Sequence, residues 1–129
     1  MNNGERFEKL VRIVKTLRSD DGCPWDREQT HDSLLPYFLE EAYEVMEAVD
    51  SENWGALSEE LGDMLLHVLF QAEIAEQDSE FKLEKVIDQV SKKLVRRHPH
   101  VFGDKKADGP FHAKQNWEAA KQAEKNRES

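Results

Sequence analysis

From Trp54 to Gln77, apolar side chains cover nearly the whole circumference of the helix that their spacing predicts, and among the acids that interrupt them are Glu60 and Asp63. With about 100° per residue and Glu60 set at zero, Asp63 and His67 fall within about 60° of it. Leu61, Met64, Leu65, Leu66, Val68, Leu69 and Phe70 occupy most of the rest. Such a helix must be covered on several sides, by neighbours in its own chain or at a subunit interface. Glu60 and Asp63 therefore cannot be assigned to an ordinary solvated face. An ionised carboxylate withdrawn from water without a partner costs several kcal/mol, so these two need cations, a mouth open to water, or raised pKa values.

The preceding helix supplies a second acidic pair. It is expected to start at a cap on Asp32 or Ser33, to tolerate Pro36 in its first turn, and to run to about Val49. Glu41 and Glu44 are spaced i, i+3 on it, as Glu60 and Asp63 are on the next, so each pair projects to one side. Glu40, Glu44 and Glu47 also form the acidic stripe that any amphipathic helix shows, opposite Leu35, Phe38, Ala42, Val45, Met46 and Val49. Glu41 is the exception, at the margin of the apolar side. If the two helices pack antiparallel, four carboxylates converge, and hard divalent ions such as Mg²⁺ prefer oxygen ligands of this kind. A ferritin-like di-iron site would need two Glu-x-x-His motifs, and only Glu28 to His31 has that form. A zinc site would want His or Cys in number, and Cys23 is alone. His67 reads as a hydrogen-bonded core histidine rather than a ligand.

The remaining chain is helical by the same criterion. Phe7, Leu10, Val11, Val14 and Leu17 mark a first helix ending near Arg18. Ser19 to Thr30 reads as a polar loop, with Asp20, Asp21, Gly22 and Pro24 around Trp25, which like Trp54 reads as a core or loop anchor rather than a ligand contact. A break at Asp50 to Asn53 precedes Trp54, and a further helix runs from about Leu83 to Arg97, stopped by Pro99 and Gly103. Residues 103–110 read as a mobile loop, Phe111 to Lys125 as a last helix, and about 122–129 as a frayed tail. No useful period-2 alternation is present, so the expected class is all-α, an antiparallel bundle forming one domain over residues 1–129.

Basic residues gather in Lys92, Lys93, Arg96 and Arg97, where Lys93 and Arg97 are i, i+4 neighbours. They can grip a polyphosphate together or simply complement a helix dipole. Trp117 and Lys121 form another i, i+4 pair, suited either to packing or to stacking a base beside a phosphate contact. The net charge of −9 disfavours nucleic acid and anionic membrane as partners. The longest uncharged run, Met64 up to Glu73, is far shorter than the roughly 20 residues of a membrane span. A single cysteine permits no internal disulfide, and the first residues lack the pattern of a secretion signal, so a cytoplasmic protein is expected.

Glu40-Glu41-Ala42-Tyr43-Glu44, fifteen intervening residues, then Glu60-Leu61-Gly62-Asp63 resembles the signature of the MazG-like nucleoside triphosphate pyrophosphohydrolases. Gly22-Cys23-Pro24-Trp25-Asp26, Arg96-Arg97-His98-Pro99-His100-Val101-Phe102-Gly103 and Asn116-Trp117-Glu118 are similar to further stretches of that family. Many members carry two such domains in tandem, and this chain resembles the amino-terminal copy. The resemblance implies an all-α domain that forms a homodimer or dimer of dimers. It also implies Mg²⁺, with Mn²⁺ as a substitute, bound through Glu41, Glu44, Glu60 and Asp63. By the same likeness Lys93, Arg97, Trp117 and Lys121 contact the nucleotide. The implied reaction converts a (d)NTP and water to (d)NMP and pyrophosphate in nucleotide-pool cleaning, with Glu40 orienting the water. The competing expectation is a helical interaction module of the same fold with weak or no catalysis.

Overall fold

The computed structural model describes residues 1–128, and among them every regular element is a helix: α1 (Asn3–Leu17), α2 (Pro24–Glu28), α3 (Leu35–Asp50), α4 (Trp54–Gln77), α5 (Leu83–Arg97), α6 (Pro99–Phe102) and α7 (Pro110–Glu128). The chain forms two compact units, one from Met1 to Leu83 and one from Glu84 onward.

In the first unit, α4 packs on both α3 and α1. Its core joins Val14, Leu34, Leu69, Phe70 and Ile74, with Phe7, Leu10, Val11, Leu17, Leu66 and Leu83 packed around them. The buried residues of α4 all lie in its second half, from Leu69 to Ala75. Leu61, Leu65 and Val68, earlier on the same helix, remain exposed. The all-round apolar character of this segment thus has two outlets, a core at one end and an uncovered surface towards the other.

Two local devices fix where α4 begins. The N–H of Glu52 donates to the Val49 carbonyl at 3.1 Å, and that of Asn53 to the Ala48 carbonyl at 2.9 Å, which terminates α3 in a Schellman motif. Glu52 carries the left-handed conformation this requires, with φ of 54°. The Asn53 side chain then accepts from the Ala56 N–H at 3.1 Å and caps α4. A three-residue turn therefore ties the two acid-bearing helices together.

The polar loop expected over Ser19 to Thr30 contains the short helix α2, a feature too brief for periodicity to reveal. Cys23 is extended, Pro24 opens the helix, and Asp26 lies in its first turn. Arg18 holds this segment in place: its Nη1 donates to the carbonyls of Asp26 at 2.6 Å and Gln29 at 3.0 Å, and its Nη2 to Gln77 Oε1 at 2.9 Å. Gly22 packs directly on the end of α1, where a Cβ would lie 2.2 Å from the Thr16 carbonyl oxygen, so no other residue fits there. The expected cap on Asp32 or Ser33 is not used. Leu34 occupies the cap position of α3 without a side-chain bond. Ser33 is engaged elsewhere, its hydroxyl accepting from the Thr30 N–H at 2.8 Å and donating to Gln29 Oε1 at 2.8 Å.

In the second unit, α6 packs on α7. The one-turn α6 follows the chain break that Pro99 was expected to impose, and α7 continues through the segment 122–128.

Candidate functional site

On the first unit, α3 and α4 bring Glu41, Glu44, Glu60 and Asp63 within electrostatic reach of one another. A hydrogen bond to Glu44 pushes the Glu60 carboxyl up to about 7, aided by burial and by the charges of Glu44, Asp63 and Glu59. Burial also raises the Glu41 carboxyl, followed by the charges of Asp63, Glu44 and Glu40. Glu40, on the same helix, is exposed. Two oxygens of the cluster, Oε2 of Glu41 and Oε2 of Glu60, are buried without a hydrogen-bond partner. No three His, Cys, Asp or Glu side chains among the described residues are already arranged to hold a metal ion. The four carboxylates are nevertheless the oxygen donors that a hard cation prefers, and two of their oxygens are left without a partner.

A proton on Glu60 has a thermodynamic signature. The folded chain holds it up to about pH 7, whereas an ordinary glutamate releases it near 4.5. This contribution to stability is full below 4.5 and is lost as pH rises through about 7. In EDTA, the Tm difference between the unsubstituted chain and Glu60→Gln is expected to shift against the unsubstituted chain across that window. A difference that stays flat, or moves the other way, in differential scanning fluorimetry contradicts the Glu44–Glu60 hydrogen bond.

Two hollows flank the acids. Glu44 and Glu60 line an open one beside the α3–α4 turn, together with Glu47, Asp50 and Asn53. Glu41 and Asp63 line a smaller cavity of about 180 Å³ whose other walls include Trp25, Tyr37, His67 and Phe70. Trp25 meets Tyr37 edge to face at 5.9 Å. His67 stacks on Phe38 at 4.4 Å, and burial lowers its pKa. The neutral ring accepts from Gln71 Nε2 at 3.3 Å, and Gln71 is itself held by His31, to whose carbonyl it donates at 3.2 Å and from whose Nδ1 it accepts. His67 is therefore hydrogen-bonded, as expected, but it is only partly buried, with one face stacked on Phe38. The place of Trp25 beside the acids was not legible, because α2 is brought there by Arg18 rather than by any spacing.

On the second unit, the basic and aromatic residues also assemble. The Arg97 guanidinium lies 5.4 Å from the Trp117 ring centroid and Lys121 Nζ lies 5.0 Å from it. Lys93, Arg96, Arg97 and Lys121 line one open cleft of about 620 Å³. An acidic group that the spacing gave no reason to select, Glu124, pairs with both Arg96 and Arg97.

Comparison with known proteins adds an independent line. The MazG nucleotide pyrophosphohydrolase domain family matches residues 29–102, a segment that crosses the boundary between the two units. The chain is 50% identical over 124 residues to the nucleoside triphosphate pyrophosphohydrolase/pyrophosphatase MazG of Thermotoga maritima, covering 96% of this chain and 47% of that protein. It is 40% identical over 121 residues to the nucleoside triphosphate pyrophosphohydrolase of Escherichia coli K12, covering 93% of this chain and 46% of that one. The chain thus spans about half the length of these relatives. The crystal structure of a mazG-related protein from Thermotoga maritima superposes with a TM-score of 0.74 at 34% identity, covering 89% of this chain and 98% of that one.

Proposed function

Since this chain belongs to the MazG nucleotide pyrophosphohydrolase domain family, we propose that it hydrolyses (d)NTPs to (d)NMP and pyrophosphate and so cleans the nucleotide pool. The observation that carries the reading is the gathering of Glu41, Glu44, Glu60 and Asp63 with two buried carboxylate oxygens left unpartnered. We assign these four as the residues that hold Mg²⁺, or Mn²⁺ in its place. Bound there, the ion supplies charge neutralisation of the triphosphate and acidification of a coordinated water.

The chain's own residues do the rest. Water attacks the α-phosphorus, the bond from that phosphorus to the bridging oxygen breaks, and pyrophosphate leaves with the bridging oxygen. Glu40, exposed and adjacent to the cluster, orients the water and takes its proton. Lys93, Arg97 and Lys121 neutralise phosphate oxygens, with Trp117 beside them as a stacking surface. No covalent intermediate is needed.

Assembly forms part of the same reading. Leu39, Tyr43 and Met46 on α3 and Leu61, Leu65 and Val68 on α4 are exposed apolar residues at helical spacing. We propose that they are covered in a homodimer or dimer of dimers of antiparallel bundles, acting in the cytoplasm; a monomer mass in small-angle scattering at micromolar concentration contradicts this. Residues 1–129 are read as one MazG-like domain.

The reaction is tested by incubating the purified chain with each NTP and dNTP and Mg²⁺ and resolving products by ion exchange. Monophosphate and pyrophosphate in equal amounts are expected. Diphosphate with orthophosphate means cleavage at the γ-position and overturns the assignment. No turnover together with no Mg²⁺-linked thermal stabilisation favours the interaction module instead.

A further inference from the structure

The cleft on the second unit holds one carboxylate among its cations. Glu124 Oε1 accepts from Nε of Arg96 and also contacts its Nη2. Glu124 Oε2 lies 3.1 Å from both Nε and Nη2 of Arg97. One carboxylate therefore straddles two arginines that are neighbours in sequence, engaging the same edge of each guanidinium. The Nη1 corner of each lies outside that contact.

Exposure separates Arg96 from the other two. The Glu124 side chain is 14% exposed, against 46% for Arg96 and 17% for Arg97. The carboxylate and Arg97 are thus about equally covered, and Arg96 is the member nearer solvent. Burial works to raise the Glu124 carboxyl, and the hydrogen bonds and charges of Arg96 and Arg97 outweigh it, so its pKa lies below the usual carboxylate value. It stays ionised at neutral pH. Glu124 also sits one turn beyond Lys121 and two beyond Trp117 on α7, so support, cation and ring share a face.

We propose that Glu124 is a positioning residue for the nucleotide's phosphates, holding Arg96 and Arg97 side by side with one corner of each guanidinium turned to the cleft. This rests on the reading of Arg97 as a phosphate contact. Without the carboxylate, two adjacent guanidinium groups repel, and each regains the rotamer freedom of a long side chain. An incoming triphosphate must then order them itself, so binding weakens while the chemical step is untouched. The carboxylate also subtracts one positive charge from the cleft, which works in the opposite direction. Its two-point contact with each of the two guanidinium groups makes the ordering effect the larger.

The test uses the full chain and four variants: Arg97→Ala, Glu124→Gln, Glu124→Asp and the double variant Arg97→Ala/Glu124→Gln. Steady-state kinetics are measured with Mg²⁺ and each variant's dissociation constant for inorganic tripolyphosphate by calorimetry, so that the contrast is read with or without turnover. Glu124→Gln is expected to raise KM and the tripolyphosphate dissociation constant by roughly tenfold, with kcat within about twofold. Glu124→Asp, which keeps the charge, should recover part of the loss. In the Arg97→Ala background the Gln substitution should cost clearly less than it does alone, because one of the two groups it acts through is gone.

Unchanged affinity in Glu124→Gln overturns the proposal. Tighter binding also overturns it, since Glu124 would then compete with phosphate for the arginines. So does a fall in kcat and Tm at constant KM, the pattern of a purely structural residue. If Arg97→Ala itself leaves affinity unchanged, the reading of the basic cluster fails and this proposal with it. If Arg97→Ala weakens binding while Glu124→Gln is silent, the proposal fails alone.

Discussion

Asp63→Asn is expected to lower kcat/KM for NTP hydrolysis by roughly a hundredfold or more, on the several kcal/mol that a bound divalent ion contributes to phosphoryl chemistry. The substitution keeps the size of the side chain and removes its charge, so loss of activity cannot be ascribed to a cavity. Its effect on the metal-free protein runs the other way. The charge of Asp63 contributes to the raised pKa of both Glu41 and Glu60, and its removal relieves that repulsion. Asp63→Asn should therefore melt no lower than the unsubstituted chain in EDTA and gain less from added Mg²⁺. Kinetics across an Mg²⁺ titration and melting curves in both conditions check the two halves. Activity within threefold of the unsubstituted chain at saturating Mg²⁺ would remove Asp63 from the site.

Phe70→Ala is expected to destabilise the first unit by about 3–5 kcal/mol, the usual cost of deleting a buried aromatic ring. Phe70 is only 8% exposed and belongs to the cluster of Val14, Leu34, Leu69 and Ile74 that joins α1 to α4. It also lines the cavity that Trp25 shares with Glu41 and Asp63. The ring therefore links the fold of this unit to the geometry beside its acids, and activity should fall along with stability. Urea unfolding in EDTA measures the first effect. A change below about 1 kcal/mol would mean that the site collapses around the missing ring far better than such cores do.

How much of this was written in the sequence depends on whether the determining contact is local. The segments Trp54–Gln77 and Leu83–Arg97 fall where periodicity places them, because a cap or a proline punctuates them. The two acid pairs were legible for the same reason: i, i+3 spacing on a helix is a geometric statement about side-chain direction. Five-residue α2 and four-residue α6 are shorter than the window in which a period can be recognised. The start of α3 escaped because Ser33, a good cap by type, is bound instead to Gln29 and Thr30. Trp25 reaches the neighbourhood of Asp63 through Arg18, and Glu124 meets Arg96 and Arg97 from a different helix. Pairings of that kind leave no trace in spacing. The i, i+4 relation of Trp117 and Lys121 did predict their contact, whereas the pairing of Arg97 with the same ring could not be read from one helix alone.

The helix α4 anchors the first unit through Leu69 to Ala75 and carries Glu60 and Asp63 more than a turn earlier. The core residues and the acids therefore lie along one rod and meet where Phe70 borders the cavity that Asp63 lines, so a change in the packing of one is carried to the other.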